Sequence, residues 1–181
     1  MTTMTDLGAQ QVRQVQIVPV DWRDPRAVAL RERMDAEMAG IYGSLFSSSG
    51  PAEFLAARRA ALAVDPRDIR VTLLAIDSDG TPLAHAALRD LGGEWEVKRL
   101  FVDSKARGRG IGRQIMADLE NAARDAGARR LILQTGDRQP KAVALYERTG
   151  YERIGIYEPY VTTFTFSMCF EKRLGDPYAV N

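Results

Sequence analysis

Cysteine and histidine are almost missing from this chain of 181 residues: it has one of each, Cys169 and His85. One thiol cannot close an intramolecular disulfide, and there is neither a CxxC pair nor a cysteine–histidine set at metal-ligand spacing. A disulfide scaffold is therefore excluded, and no protein metal site is expected. A reducing, cytoplasmic compartment suits that composition. No apolar run approaches the roughly 20 residues that a membrane-spanning helix needs, and the polar start MTTMTDLGAQQ lacks the apolar stretch of a secretory signal. A charge excess is lacking too. Lys and Arg number 25 and Asp and Glu 24, a formal net charge of +1, which argues against a general binder of nucleic acid or membrane surfaces.

What is present reads as one ordinary globular domain, with 45% hydrophobic and 27% charged residues in a length that holds one core. We expect a domain over residues 12–174, with short tails over 1–11 and 175–181. VRQVQIVPV alternates as a first strand, and Asp24-Pro25 supplies an N-cap and a proline at the first helical position. Ala27, Leu30, Met34, Met38 and Ile41 then follow at helical spacing. YGSLFSSSG reads as a loop, and Gly50-Pro51 opens a second helix through about Ala63, with Phe54, Leu55, Arg58, Ala61 and Leu62 on one side.

IRVTLLAID, SDGTP and LAHAALRD form a strand, a turn and a strand, and EWEVKRLFV adds another beside them. Ile111, Ile115, Leu119, Ala122 and Ala126 recur with a helical period that Gly127 ends. RRLILQT is a short buried strand, and a helix runs from Pro140 to Gly150. YERIGI and TTFTFSMCFEKR close the chain as two more strands. The order predicts an α+β fold with mostly antiparallel strands and one strand–loop–helix–strand crossover.

The chemistry concentrates where that crossover turns, at KARGRGIGRQ. Between Lys98 and Arg113 stand six basic residues (Lys98, Arg99, Lys105, Arg107, Arg109, Arg113) against the single acid Asp103. A helix start exposes backbone N–H groups that find no intrahelical acceptor, so it attracts anions. Glycine at 108, 110 and 112 removes Cβ atoms that would hold a phosphate away, and the arginines add charge-assisted hydrogen bonds. A diphosphate fits such a loop. The Walker A pattern does not occur, and the dinucleotide fingerprint GxGxxG is matched only weakly because Arg113 stands where its third glycine belongs. A plain helix start made soluble by glycine and arginine is the bland alternative.

Arg107-x-x-Gly110-x-Gly112 resembles the coenzyme A signature of the GNAT superfamily of N-acetyltransferases. An apolar strand ends at Val102 five residues upstream, and ALYERTGY at 144–151 resembles the family's second motif. The resemblance covers roughly residues 70–155 and implies the GNAT fold, a mixed, mostly antiparallel sheet of six to seven strands flanked by about four helices. It implies acetyl-CoA as acyl donor. The pyrophosphate would lie on Arg107, Gly108, Arg109, Gly110, Ile111, Gly112 and Arg113, and the pantetheine arm along the backbone of Leu100, Phe101 and Val102. Gln139 stands where the family often has an asparagine near the cofactor.

For catalysis the resemblance implies Tyr146 as general acid toward the departing thiolate. A protonated amine, pKa about 10, must also lose a proton before it attacks. Glu96 matches a position where some members keep a catalytic glutamate, and Glu94 shares its face of the strand. Both could equally be carboxylates on a wet face, or Glu96 could bind a cationic substrate. Glu94, Glu96, Tyr42, Tyr157 and Tyr160 would together make an acidic, aromatic pocket for a small cationic amine. His85 reads as structural or as a proton relay, Asp137 and Arg138 as a turn near the cofactor or in solvent, and Cys169 as a small buried hydrophobe.

The functional expectation is direct acetyl transfer to a primary amine of a small-molecule or amino-acid-like acceptor. A catalytically silent acyl-CoA sensor is the alternative from another class, and an RNA surface on the Arg–Gly stretch is a third. The family often pairs through its C-terminal strands, which makes TFTFSMCF a candidate homodimer surface.

Overall fold

The computed structural model describes residues 15–46 and 51–175. The tail expected over 1–11, and all but the first residue of that over 175–181, lie outside it. Seven strands and four helices follow one another as β1 (Gln16–Pro19), α1 (Pro25–Phe46), α2 (Ala52–Leu62), β2 (Ile69–Ile76), β3 (Pro82–Leu91), β4 (Glu94–Val102), α3 (Ile111–Asp125), β5 (Arg130–Gly136), α4 (Pro140–Arg148), β6 (Glu152–Ile154) and β7 (Ser167–Arg173). They build one sheet in the order β1-β2-β3-β4-β5-β7-β6. Only β4 and β5 run parallel, joined by the crossover through α3; every other pairing is antiparallel. This is the expected α+β fold.

Local chemistry explains most boundaries. Asp24 caps α1, its carboxylate accepting from the Arg26 amide at 2.9 Å. Gly127 ends α3 at φ +84°, a conformation that costs glycine little. The α3 face carrying Ile111, Ile115 and Leu119 is fully buried with Met116, and it packs with Leu73, Leu88, Leu131, Leu133 and Phe170 as the main core. On the opposite face of the sheet, Ala27 and Leu30 of α1 cover Leu74 and Phe101.

Two boundaries differ from the sequence pattern. The first helix runs through YGSLF to Phe46 instead of stopping at Ile41. Tyr42 continues its buried stripe by stacking on Phe166 at 5.9 Å, and that packing outweighs the weak helix propensity of Gly40 and Gly43. The last strand starts at Ser167, not Thr162. Residues 158–166 form turns and bends, with Tyr160 and Phe164 buried against Ala61 of α2. The apolarity of TFTFSMCF thus serves the molecule's own interior, where Phe164, Cys169 and Phe170 are buried and β7 is flanked on both sides.

Candidate active site

The sheet opens at one place. β4 and β5 pair only at Glu96–Ile132 and Val97–Leu133, and past that point they diverge. The cause lies in β4, where Lys98 faces Ala87 and Phe101 faces His85, so that Arg99 and Leu100 together stand opposite Ala86. Arg99 adopts φ +58°. An extra residue in one strand bends it, and the bend draws β4 away from its parallel neighbour. His85 fastens this bulge: its Nε2 lies 3.1 Å from Arg31 Nη1, and because a guanidinium can only donate, Nε2 accepts and Nδ1 donates to the Arg99 carbonyl at 3.0 Å. Burial, helped by the nearby Arg31 and Arg99 charges, pushes the His85 pKa down to about 4. The imidazole is neutral at physiological pH and lies away from the cavity wall.

A cavity of about 180 Å³ occupies the opening, lined by residues 97–100 of β4, 134–136 of β5, Met34, Asp35, Met38 and Tyr42 of α1, and Tyr146 of α4. Tyr146 is buried, touching Tyr151 and Phe170 at ring distances of 6.0 and 5.8 Å. Burial pushes its pKa well above the ordinary phenol value, so the hydroxyl holds its proton. Gln139, at the start of α4, also lines the cavity. Tyr42 reaches β5 so closely that a Cβ on Gly136 would lie 2.0 Å from its Oη; that hydroxyl accepts from the Arg138 amide at 3.1 Å.

Below the opening, the glycine loop leads into α3. Gly108 and Gly110 have φ of +82° and +76°. The Gly110 carbonyl takes the amides of Arg113 and Gln114, so Ile111 and Gly112 present N–H groups without an intrahelical acceptor. Gly112 is close to Leu145 and Val102, a Cβ there coming within 3.2 Å of Leu145 Cδ2. The arginines are oriented by neighbours: Arg107 bonds the Val102 carbonyl at 3.0 Å and chelates Glu37 at 2.6 and 2.8 Å, while Arg109 lies 3.5 Å from Asp77. Leu100 lines the cavity, Phe101 is buried beneath α1, and Val102 packs on the main core.

Glu96 is fully buried behind the cavity wall. Arg89 Nε donates to its Oε2 at 2.5 Å, and the hydroxyls of Tyr157 and Tyr160 donate to its Oε1 at 2.8 Å each. Tyr160 in turn accepts from Lys98 Nζ at 2.7 Å, and Lys98 Nζ stands 3.8 Å from Glu96. Burial first, and then the Glu96 charge, push both tyrosine pKa values well up. Glu94 sits elsewhere, paired with Arg130 at 2.7 Å where β4 and β5 begin, partly exposed to solvent. Tyr42 therefore lines the cavity, Glu96, Tyr157 and Tyr160 form a network behind it, and Glu94 joins neither. Lys98 was counted from the sequence only among the basic residues leading into the glycine loop, and Arg89 was not named at all. Lys98 shares a face with Glu96 two residues away, and Arg89 is its cross-strand partner, a pairing that aligning the hairpin about Gly92-Gly93 would have revealed.

A family model described as the Acetyltransferase (GNAT) family matches residues 33–151. This chain belongs to that family. The IAA acetyltransferase of Azospirillum brasilense is 45% identical over 69 residues, 38% of this chain and 45% of that protein, so the match spans less than half of that relative. Among solved structures, a Klebsiella pneumoniae chain assigned as an acyl-CoA N-acyltransferase superposes with a TM-score of 0.70 at 27% identity, over 89% of this chain and 98% of the other. PaiA N-acetyltransferase of Thermoplasma acidophilum, in complex with coenzyme A, shares the fold with a TM-score of 0.62 at 17% identity, over 88% and 99% of the two chains. GNAT enzymes use acyl-CoA donors. The orphan helix amides and the glycines at 108, 110 and 112 fit such a donor's diphosphate. Among the described residues no group of three or more metal-ligating side chains is placed to hold an ion.

Proposed function

We propose that this chain is an acetyl-CoA-dependent N-acetyltransferase acting on a primary amine of a small or amino-acid-like molecule in a reducing, cytoplasmic setting. One observation carries the reading: the gap between β4 and β5 opens into a cavity with Tyr146 among its lining residues and the N-terminus of α3 close by. The glycine loop from Arg107 to Arg113 would hold the diphosphate, and the edge of β4 left without a strand beyond Val97 would receive the pantetheine amides. Bound there, the donor supplies an acetyl thioester.

The chain's own residues then divide the proton work. As the acceptor nitrogen bonds to the acetyl carbon and the carbon–sulfur bond breaks, Tyr146 donates its proton to the sulfur, and the second proton that the nitrogen sheds in becoming a neutral amide returns to the Tyr146 oxygen. The ammonium proton leaves beforehand to solvent at the cavity mouth. Glu96 is not the direct base in this reading, since its oxygens are engaged by Arg89, Tyr157 and Tyr160 and it does not line the cavity. It acts as a positioning residue, the counter-charge that holds Lys98 and Arg89.

The test is acetyl-CoA-dependent thiol release over a panel of amino acids, polyamines, aminoglycosides and peptides, with thermal stabilisation by acetyl-CoA measured alongside. We expect stabilisation, on the order of 2–3 kcal/mol at a hundredfold excess over Kd, and release with at least one acceptor. Stabilisation without release from any amine would favour a silent acyl-CoA sensor, and no stabilisation would remove the cofactor reading.

A further inference from the structure

An acidic pocket would attract a cationic amine, but the charges around this cavity have the opposite balance. Three charged residues line it: Asp35, Lys98 and Arg99. Asp35 and Arg99 are paired with each other, which leaves Lys98. Behind Lys98, one carboxylate, Glu96, serves two cations, Arg89 and Lys98. The cluster retains a positive charge in a site sheltered from water, where Coulomb forces are weakly screened. An ammonium has three N–H donors. Lys98 gives one to Tyr160 at 2.7 Å, and Glu96 at 3.8 Å is beyond hydrogen-bond reach. Met34, Met38, Tyr42, Leu62, Phe164 and Phe166 also line the cavity, and Leu62, Phe164 and Phe166 cluster about Tyr160, the partner of Lys98, a surface for an apolar body.

We propose that the acceptor is an apolar amino acid, or an amino-carboxylate built like one, whose carboxylate is seated on the Lys98 ammonium while its side chain packs on that apolar surface. This rests on the N-acetyltransferase reading above and names its substrate class. An acceptor carrying only an ammonium would meet a like charge in the cavity, whereas a carboxylate supplies the anion that the Arg89–Glu96–Lys98 cluster lacks. The same positive field eases loss of the acceptor's ammonium proton, which transfer requires.

Lys98 faces Glu96 and Arg99 on its own strand, Arg89 on β3, Tyr160 on the segment after β6, and Cys169 on β7. Burial, opposed by the Glu96 charge, pushes its pKa down to about 8. The ammonium is therefore present at neutral pH and lost as the pH rises through about 8, and carboxylate recognition should be lost with it.

The experiment uses the full chain and matched acceptors: L-phenylalanine, L-methionine and L-leucine, each beside its amide and its decarboxylated amine, with thiol release giving kcat/KM. We expect at least one amino acid to be preferred over its amide and amine by about tenfold or more. Lys98→Met should lower that ratio by a similar factor, Lys98→Arg should keep it, and in the wild-type protein the ratio should fall as the pH passes about 8. The wild-type pH series stands even where a variant fails to fold. A wild-type preference for amides or amines, or a ratio unmoved by both Lys98→Met and pH, overturns the inference and leaves the acetyltransferase reading intact. No release from any of the compounds, together with release from polyamines or aminoglycosides, also overturns it alone. No release from any amine at all removes both.

Discussion

Tyr146 is the residue to which the proposed mechanism gives the general-acid role, and its environment lets removal of one oxygen be informative. Its ring packs between Tyr151 and Phe170, so Tyr146→Phe keeps the apolar contacts. We expect turnover to fall by roughly ten- to a thousandfold while acetyl-CoA still raises Tm, the scale for losing a general acid; wild-type turnover would remove Tyr146 from that role. Glu96 calls for the opposite outcome, a loss of stability. Replacing it with Gln leaves Arg89 and Lys98 buried without their carboxylate, and breaking a buried pair from one side costs about 3–5 kcal/mol. For a chain of this size that is a fall in Tm on the order of 10 °C. An unchanged melting temperature in Glu96→Gln would mean that the network is not what holds these strands.

At the level of elements, α1 carries glycines that could be replaced to advantage, Gly40 among them, and faces one that could not. Gly40 has nothing within 4 Å of the position a Cβ would take and lies inside the helix. Gly40→Ala should stabilise by about 0.5–1 kcal/mol, through the lower entropy of the unfolded chain and better helix propensity. Gly136 at the end of β5 is the reverse case, because a Cβ there would lie 2.0 Å from Tyr42 Oη and 2.7 Å from Cζ. Gly136→Ala must push α1 off β5 or distort the cavity lip, at a cost of about 1–3 kcal/mol. Thermal melts of the two variants should move in opposite directions, and weaker stabilisation by acetyl-CoA should accompany the second alone.

Across the whole molecule, His85 joins α1, β3 and the bulge of β4, and its titration reports on all of them. Its pKa is about 4 in the fold against about 6.5 in an unfolded chain. Above pH 6.5 neither state binds the proton and the histidine adds no pH dependence. As the pH falls from 6.5 toward 4 the unfolded state takes the proton first, so stability is lost with acid. No other histidine exists in the chain, and carboxylates ordinarily titrate near pH 4. A decline in Tm between about pH 6.5 and 5 is therefore expected, and His85→Gln should flatten it; an identical slope in the variant would place the titration elsewhere.

The order of strands and helices, the crossover and the glycine loop were legible in the sequence because each rests on neighbours in the chain: alternation, helical period, caps, and glycines at positive φ. The family motifs could be read for the same reason, since an anion site at a helix start is made of consecutive amides. The length of α1 and the turns of residues 158–166 were not, because Tyr42, Tyr160 and Phe164 take their positions from side chains far away in sequence. The charge of the cavity lay furthest out of reach. Glu94 and Glu96 are equivalent along their strand, and only the packing of β3, β5 and the segment after β6 gives one to Arg130 at the surface and buries the other against Arg89. The sequence by itself determined the glycine loop and helix start to which we assign the diphosphate; the tertiary structure alone decided which charges surround the cavity, because that depends on which side chains are buried together.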